Sequence, residues 1–113
     1  MRGDMSDVLY VDDSNFDSEV LQSNQPVLVD FSATWCGPCQ SQLPILEKFA
    51  TENKSRVKVV KMDVDEAPET AAKFQVKGVP SILLFNNGSK VDSKVGLTTS
   101  AALDHFLLEK IGV

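Results

Sequence analysis

At 113 residues, with 42% hydrophobic and 24% charged side chains, the chain has the size of one domain and enough apolar material for one buried core. Its formal net charge of −5, from 11 basic and 16 acidic side chains, speaks against nucleic acid as a partner, which demands a basic face. No apolar run approaches the roughly 20 residues of a membrane span, and residues 1–7 carry one Arg but no apolar stretch of the kind a secretory leader needs. The expectation is a single domain over 1–113 in the cytoplasm. Met5 reads as a native start, with residues 1–4 a remnant ahead of it.

Val8 to Val11 suggest a short first strand. Asp13 and Ser14 are good helix N-caps, and Phe16, Val20 and Leu21 follow at near-helical spacing. Residues 26–31, Pro-Val-Leu-Val-Asp-Phe, are too uniformly apolar for a strand with one wet face and read as a central strand covered on both sides. Leu43, Leu46, Phe49 and Ala50 mark one stripe of a helix running to about Asn53, with Pro44 inside it predicting a kink. Residues 57–62 form another strand, and Pro68 opens a short helix through about Phe74. Residues 81–85 are an apolar strand, Asn86-Asn87-Gly88 is a hairpin turn, and residues 91–95 are the antiparallel partner. Thr99 or Ser100 caps a last helix whose Leu103, Phe106, Leu107 and Ile111 face inward. Strands and helices alternate and then a hairpin follows, which predicts an α/β fold with a mixed sheet and helices on both faces.

The chain has two cysteines, Cys36 and Cys39, and a bridge across so short a loop does little to staple a fold. In a reducing compartment such a disulfide is usually transient and catalytic. Cys36 falls where a strand gives way to a helix, and the unpaired amides of a helix start favour an anion, which lowers a thiol's pKa. The thiolate is the species that attacks a disulfide. Cys39 follows one turn later on the same side, near enough to close a ring back to Cys36. Gly37 lets another backbone come near, and Pro38 suits a first helical turn. Cys36 is thus expected as the exposed attacker and Cys39 as the shielded resolver. Half of a zinc site is the rival reading, but zinc wants four ligands, and the one other candidate, His105, reads as a surface residue.

Trp35-Cys36-Gly37-Pro38-Cys39, preceded by Val29-Asp30-Phe31-Ser32-Ala33-Thr34, closely resembles the thioredoxin family, and the resemblance covers nearly the whole chain. Pro44, Lys61, Gly78-Val79-Pro80, Gly88 and Gly96 are its further landmarks. The resemblance implies the thioredoxin fold, a central mixed five-stranded sheet with helices on both faces. It implies a thiol-disulfide oxidoreductase that reduces disulfides in other proteins, with no bound cofactor or metal. Electrons would come from NADPH through a thioredoxin reductase, to a chain acting as a monomer. Two places depart from the pattern: Gln40 stands where many members carry Lys or Arg, and Ser32 where some bacterial members have a second Trp.

The resemblance also assigns supporting roles. Asp30, a carboxyl inside an apolar strand, becomes the buried acid beneath the cysteines that accepts a proton from Cys39; burial raises its pKa. Lys61 becomes its neighbour and tunes it, where the blander reading is a Lys whose stem covers apolar surface. Trp35, Gly78, Val79, Pro80, Gly96 and Leu97 become a client-docking surface, with Val79 offering backbone groups to an extended segment and Pro80 following a cis peptide bond. A binding module with idle cysteines is the alternative from another class, and the presence of both cysteines, Asp30 and Pro80 argues against it. The Gly-Pro dipeptide suits a low-potential reductant rather than an oxidase, isomerase or glutaredoxin.

Overall fold

Every residue of Val27–Ser32 is buried, and this strand (β2) is the centre of a sheet of five. The structure, a computed structural model, describes residues 6–113, so the reading of residues 1–4 and of Met5 as the start lies outside the described residues. The strands are β1 (Val8–Tyr10), β2, β3 (Lys58–Asp63), β4 (Ser81–Asn86) and β5 (Ser89–Val95), in spatial order β1-β3-β2-β4-β5. β1 and β2 flank β3 in parallel; β4 runs antiparallel to β2, and β5 to β4. The sheet is therefore mixed, as the alternation followed by a hairpin predicts.

Strand parity separates the two faces. Leu28, Val59, Ile82 and Leu84 meet Leu46 and Phe49 of α1 (Gly37–Glu52) and Leu103, Phe106 and Leu107 of α3 (Ser100–Ile111). Val29, Phe31, Val60, Met62, Leu83 and Phe85 meet Phe16, Val20 and, from α2 (Pro68–Lys73), Ala71. With a layer of helix on each side, β2 has no wet face, which is why its sequence does not alternate. The hairpin turn places Asn87 and Gly88 both at positive φ, 55° and 81°, as a tight two-residue turn requires. At Gly88 a Cβ would stand 3.1 Å from the Leu21 carbonyl oxygen. Pro44 lies inside α1 on its exposed side, and Gln40, whose carbonyl it leaves without an amide, is exposed as well.

The first helical expectation is corrected. Asp17–Leu21 is a single π-helical turn, closed by the Gln22 amide donating to the Asp17 carbonyl at 3.0 Å, and no side chain caps it. Asp13 does cap a helix, but a different one. Its carboxylate accepts from the amides of Glu69 and Thr70 at 3.1 and 2.9 Å and from the Thr70 hydroxyl at 2.6 Å, at the start of α2. Those bonds, the Thr70 hydroxyl first, hold its pKa below the ordinary 3.8. A lowered pKa stabilises above the unfolded value, and that stabilisation is lost as pH falls. Asp13→Ala is expected to lower the denaturant midpoint at neutral pH, with the gap to wild type narrowing as pH drops below about 3.8. Urea titrations at pH 7 and pH 3 check both statements. Among the described residues, no helix is long and apolar enough to cross a membrane.

Candidate active site

Where β2 ends, the Cys36 amide donates to the Ala33 carbonyl at 3.2 Å and turns the chain. Cys36 then takes the N-cap position of α1 with extended φ/ψ of −98° and 112°, and Pro38 falls in the first turn. Its sulfur accepts from the Cys39 amide at 3.2 Å, so sulfur stands where a Ser or Asp oxygen usually caps a helix. A disulfide joins Cys36 to Cys39 across a Cα–Cα distance of 5.3 Å.

The expected contrast in exposure is not found. In the disulfide form Cys36 is 5% exposed and Cys39 4%, because Ala33, Val64 and Val79 pack around both. What distinguishes them is position. Cys36 sits at the mouth of the helix beside exposed Gly37 and Pro38, and a Cβ on Gly37 would meet nothing within 4 Å. Cys39 lies inside the helix and lines a cleft of about 350 Å³ together with Ser32, Gln40, Lys61 and Asp63. Lys61 is the one cation among the residues lining that cleft, since Gln40 supplies none.

Asp30 shares strand parity with Leu28, so it faces the layer of α1 and α3, and its register partner on β3 is Lys61. At 1% exposure, neither carboxylate oxygen has a hydrogen-bond partner. Desolvation pushes its pKa up to about 7, partly opposed by the charge of half-buried Lys61. Lys61 also places its ammonium 5.1 Å from the centroid of the Tyr10 ring. No hydrogen bond links Asp30 to either cysteine.

The residues assigned to docking divide into three segments. Trp35 is 69% exposed and donates from its indole to an Asp65 carboxylate oxygen at 3.0 Å, which orients the ring beside Cys36. Val79 packs on the disulfide, and the Val79–Pro80 peptide is cis, as the resemblance implies. The Ser81 hydroxyl donates back to the Gly78 carbonyl. Gly96, at φ 95°, donates its amide to the Pro80 carbonyl at 2.8 Å, and Leu97 beyond it is 54% exposed. His105 is exposed on α3, and among the described residues no group of three or more His, Cys, Asp or Glu side chains is placed to hold a metal ion.

Two residues near the site escape the sequence reading. Asp65, the partner of Trp35, carries no pattern that marks it. Gln42 does: with Leu46, Phe49 and Ala50 it completes the i, i+4, i+7, i+8 spacing of a buried stripe. A polar residue at that position is easily passed over in favour of neighbouring Leu43, which is half-buried and borders the cleft.

Over residues 7–109 the sequence matches the family model described as Thioredoxin. It is similar to the thioredoxin of Acidithiobacillus ferridurans, with 47% identity over 104 residues that cover 91% of this chain and 96% of that one. The thioredoxin of Mycobacterium tuberculosis is 50% identical over 98 residues, covering 87% and 84% of the two chains. That of Rickettsia prowazekii is 45% identical over 101 residues, covering 89% and 96%.

Proposed function

Since the chain belongs to the thioredoxin family and is a protein-disulfide oxidoreductase, we propose that its Cys36–Cys39 pair carries the electrons and that NADPH supplies them through a thioredoxin reductase. In this reading the reduced Cys36 thiolate attacks a client disulfide. A bond forms between Cys36 and one client sulfur, and the other client sulfur leaves as thiolate. Cys39 then gives up its proton and attacks the Cys36 sulfur, so that the internal disulfide forms and the second client sulfur departs. The client gains two electrons and the chain loses two. The supporting observation is the cap geometry: the sulfur of Cys36 already occupies the place at the helix mouth where free amides stabilise negative charge.

Asp30 is assigned the proton accepted from Cys39, and Lys61 the tuning of Asp30; its pKa near 7 puts the carboxyl within reach of both protonation states at neutral pH. Trp35, Gly78, Val79, Pro80, Gly96 and Leu97 form the surface on which the client segment lies, and Gly37 and Pro38 leave room for its approach to Cys36. The protein works as a monomer in the cytoplasm, as one domain whose residues 7–109 match the family.

Reduction of the disulfides of insulin by NADPH and a thioredoxin reductase, with and without this chain, tests the assignment. The expected result is NADPH consumption that rises in proportion to the chain added. An unchanged rate overturns the reductase link; activity that survives with dithiothreitol as donor would leave the cysteine assignment standing.

A further inference from the structure

Gln42 is 0% exposed, three residues past Cys39 on α1. Its carboxamide makes a paired contact with one residue of a distant loop: Oε1 accepts from the Thr98 amide at 2.8 Å and Nε2 donates to the Thr98 carbonyl at 3.0 Å. A carboxamide can satisfy both backbone groups of one residue in this way because it carries an acceptor and donors side by side. Thr98 is itself buried and its hydroxyl has no partner, while Gln42 satisfies both its backbone amide and its backbone carbonyl.

The loop so held is short and anchored at each end. Upstream, the Gly96 amide is tied to the Pro80 carbonyl at 2.8 Å. Downstream, the Thr99 hydroxyl accepts from the Ala102 amide at 3.1 Å and caps α3. Exposed Leu97 lies between the Pro80 tie and the Gln42 tie. The same helix that presents Cys36 and Cys39 at its mouth thus grips, one turn further on, the segment that presents Leu97.

We propose that Gln42 is a positioning residue for client binding, whose carboxamide holds the Gly96–Leu97 segment in register with the Cys36–Cys39 pair. The inference rests on the assignment of Leu97 to the docking surface, and it concerns affinity rather than chemistry. Removing the clamp leaves the buried Thr98 amide and carbonyl unpaired, a state that polar backbone avoids by shifting toward water. Leu97 then moves with the loop while the disulfide stays where the helix start puts it.

The test uses Gln42→Met, which keeps an unbranched side chain of similar length and removes both hydrogen bonds, and Gln42→Glu, which retains an acceptor for the Thr98 amide. Each chain is reduced, freed of reductant and mixed with excess insulin, or with 5,5′-dithiobis(2-nitrobenzoate) as a small disulfide that needs no docking surface. Gln42→Met is expected to raise the half-saturating insulin concentration about fivefold or more. The limiting rate and the rate with the small disulfide stay within about twofold of wild type. Gln42→Glu falls between the two, and it carries the same criteria if Gln42→Met does not fold. Leu97→Ala, measured alongside, is expected to raise the half-saturating concentration too. If Leu97→Ala raises it and the Gln42 variants do not, the inference is overturned and the docking surface stands. If Leu97→Ala leaves it unmoved, the docking assignment fails and takes the inference with it. A parallel loss with insulin and with the small disulfide would show general damage to the fold and also overturns the inference.

Discussion

Asp30→Asn is expected to make the oxidised protein more stable at neutral pH and a poorer reductase. The carboxyl of Asp30 is buried without a hydrogen-bond partner, and its pKa is raised from 3.8 to about 7 by desolvation, with Lys61 pulling it down. A raised pKa means that the folded state binds more protons than the unfolded state between those two values. Stability attached to this group is therefore fully present below the unfolded pKa and declines as pH rises through the folded one. By pH 7 the loss amounts to about 3–4 kcal/mol. Asn has the shape of the protonated acid and never ionises. The variant and wild type should unfold at similar denaturant concentrations near pH 3. The variant should pull ahead from about pH 4 upward, and the gap should level off above about pH 7. In the same variant, turnover against a protein disulfide is expected to fall about tenfold or more if Asp30 is, as proposed, the group that accepts the Cys39 proton. First attack by Cys36 should change less. Denaturant midpoints across pH 3–8 and steady-state turnover read the two effects separately. A pH-independent midpoint difference together with wild-type turnover would make Asp30 a passive core residue.

The legible parts of this protein are those where one local rule acts alone. The run of residues 27–31, apolar except for Asp30, announces a strand covered on both faces, and Asn87-Gly88 announces a turn with two positive φ angles. The Cys-Gly-Pro-Cys segment announces a helix start, because Pro38 and a capping side chain belong there. What the sequence could not show depends on distant chain segments. Asp13 has the chemistry of a cap, but which helix it caps follows from α2 arriving beside it, 56 residues further on by the Glu69 contact. Gln42 falls on the buried stripe of α1 by its spacing, but the partner of its carboxamide follows only from the loop at Thr98 folding against it. The buried state of Cys36 depends on Val64 and Val79 closing over the disulfide, which no pattern near residue 36 contains. Asp30 lies between these cases. Its apolar neighbours foretell burial, while the register with Lys61, which limits the pKa rise, comes from strand pairing.

Because the two cysteines are equally buried in the disulfide form, their division of labour must come from position in the helix, and substitutions separate the roles. Cys36 caps α1, with the Cys39 amide aimed at its sulfur and exposed Gly37 beside it, so after reduction a thiolate there is expected to be stabilised by the helix start. Cys39 is within the helix, where its own amide is already committed to Cys36. Iodoacetamide added to the reduced protein at neutral pH is expected to label Cys36 first. Cys36→Ser should lose multiple-turnover reduction of insulin by about a thousandfold or more, since no other nucleophile stands at the helix mouth. Cys39→Ser should also fail to turn over, but for a different reason. Its Cys36 still attacks, the bond to the client sulfur forms, and no second thiol displaces it, so a one-to-one mixed disulfide accumulates through Cys36. Peptide mapping of that adduct is the decisive measurement. A client found on Cys39 in the Cys36→Ser variant, formed as fast as the adduct on Cys36, would reverse the assignment of attacker and resolver. Absence of any adduct from Cys39→Ser would remove the exchange mechanism altogether.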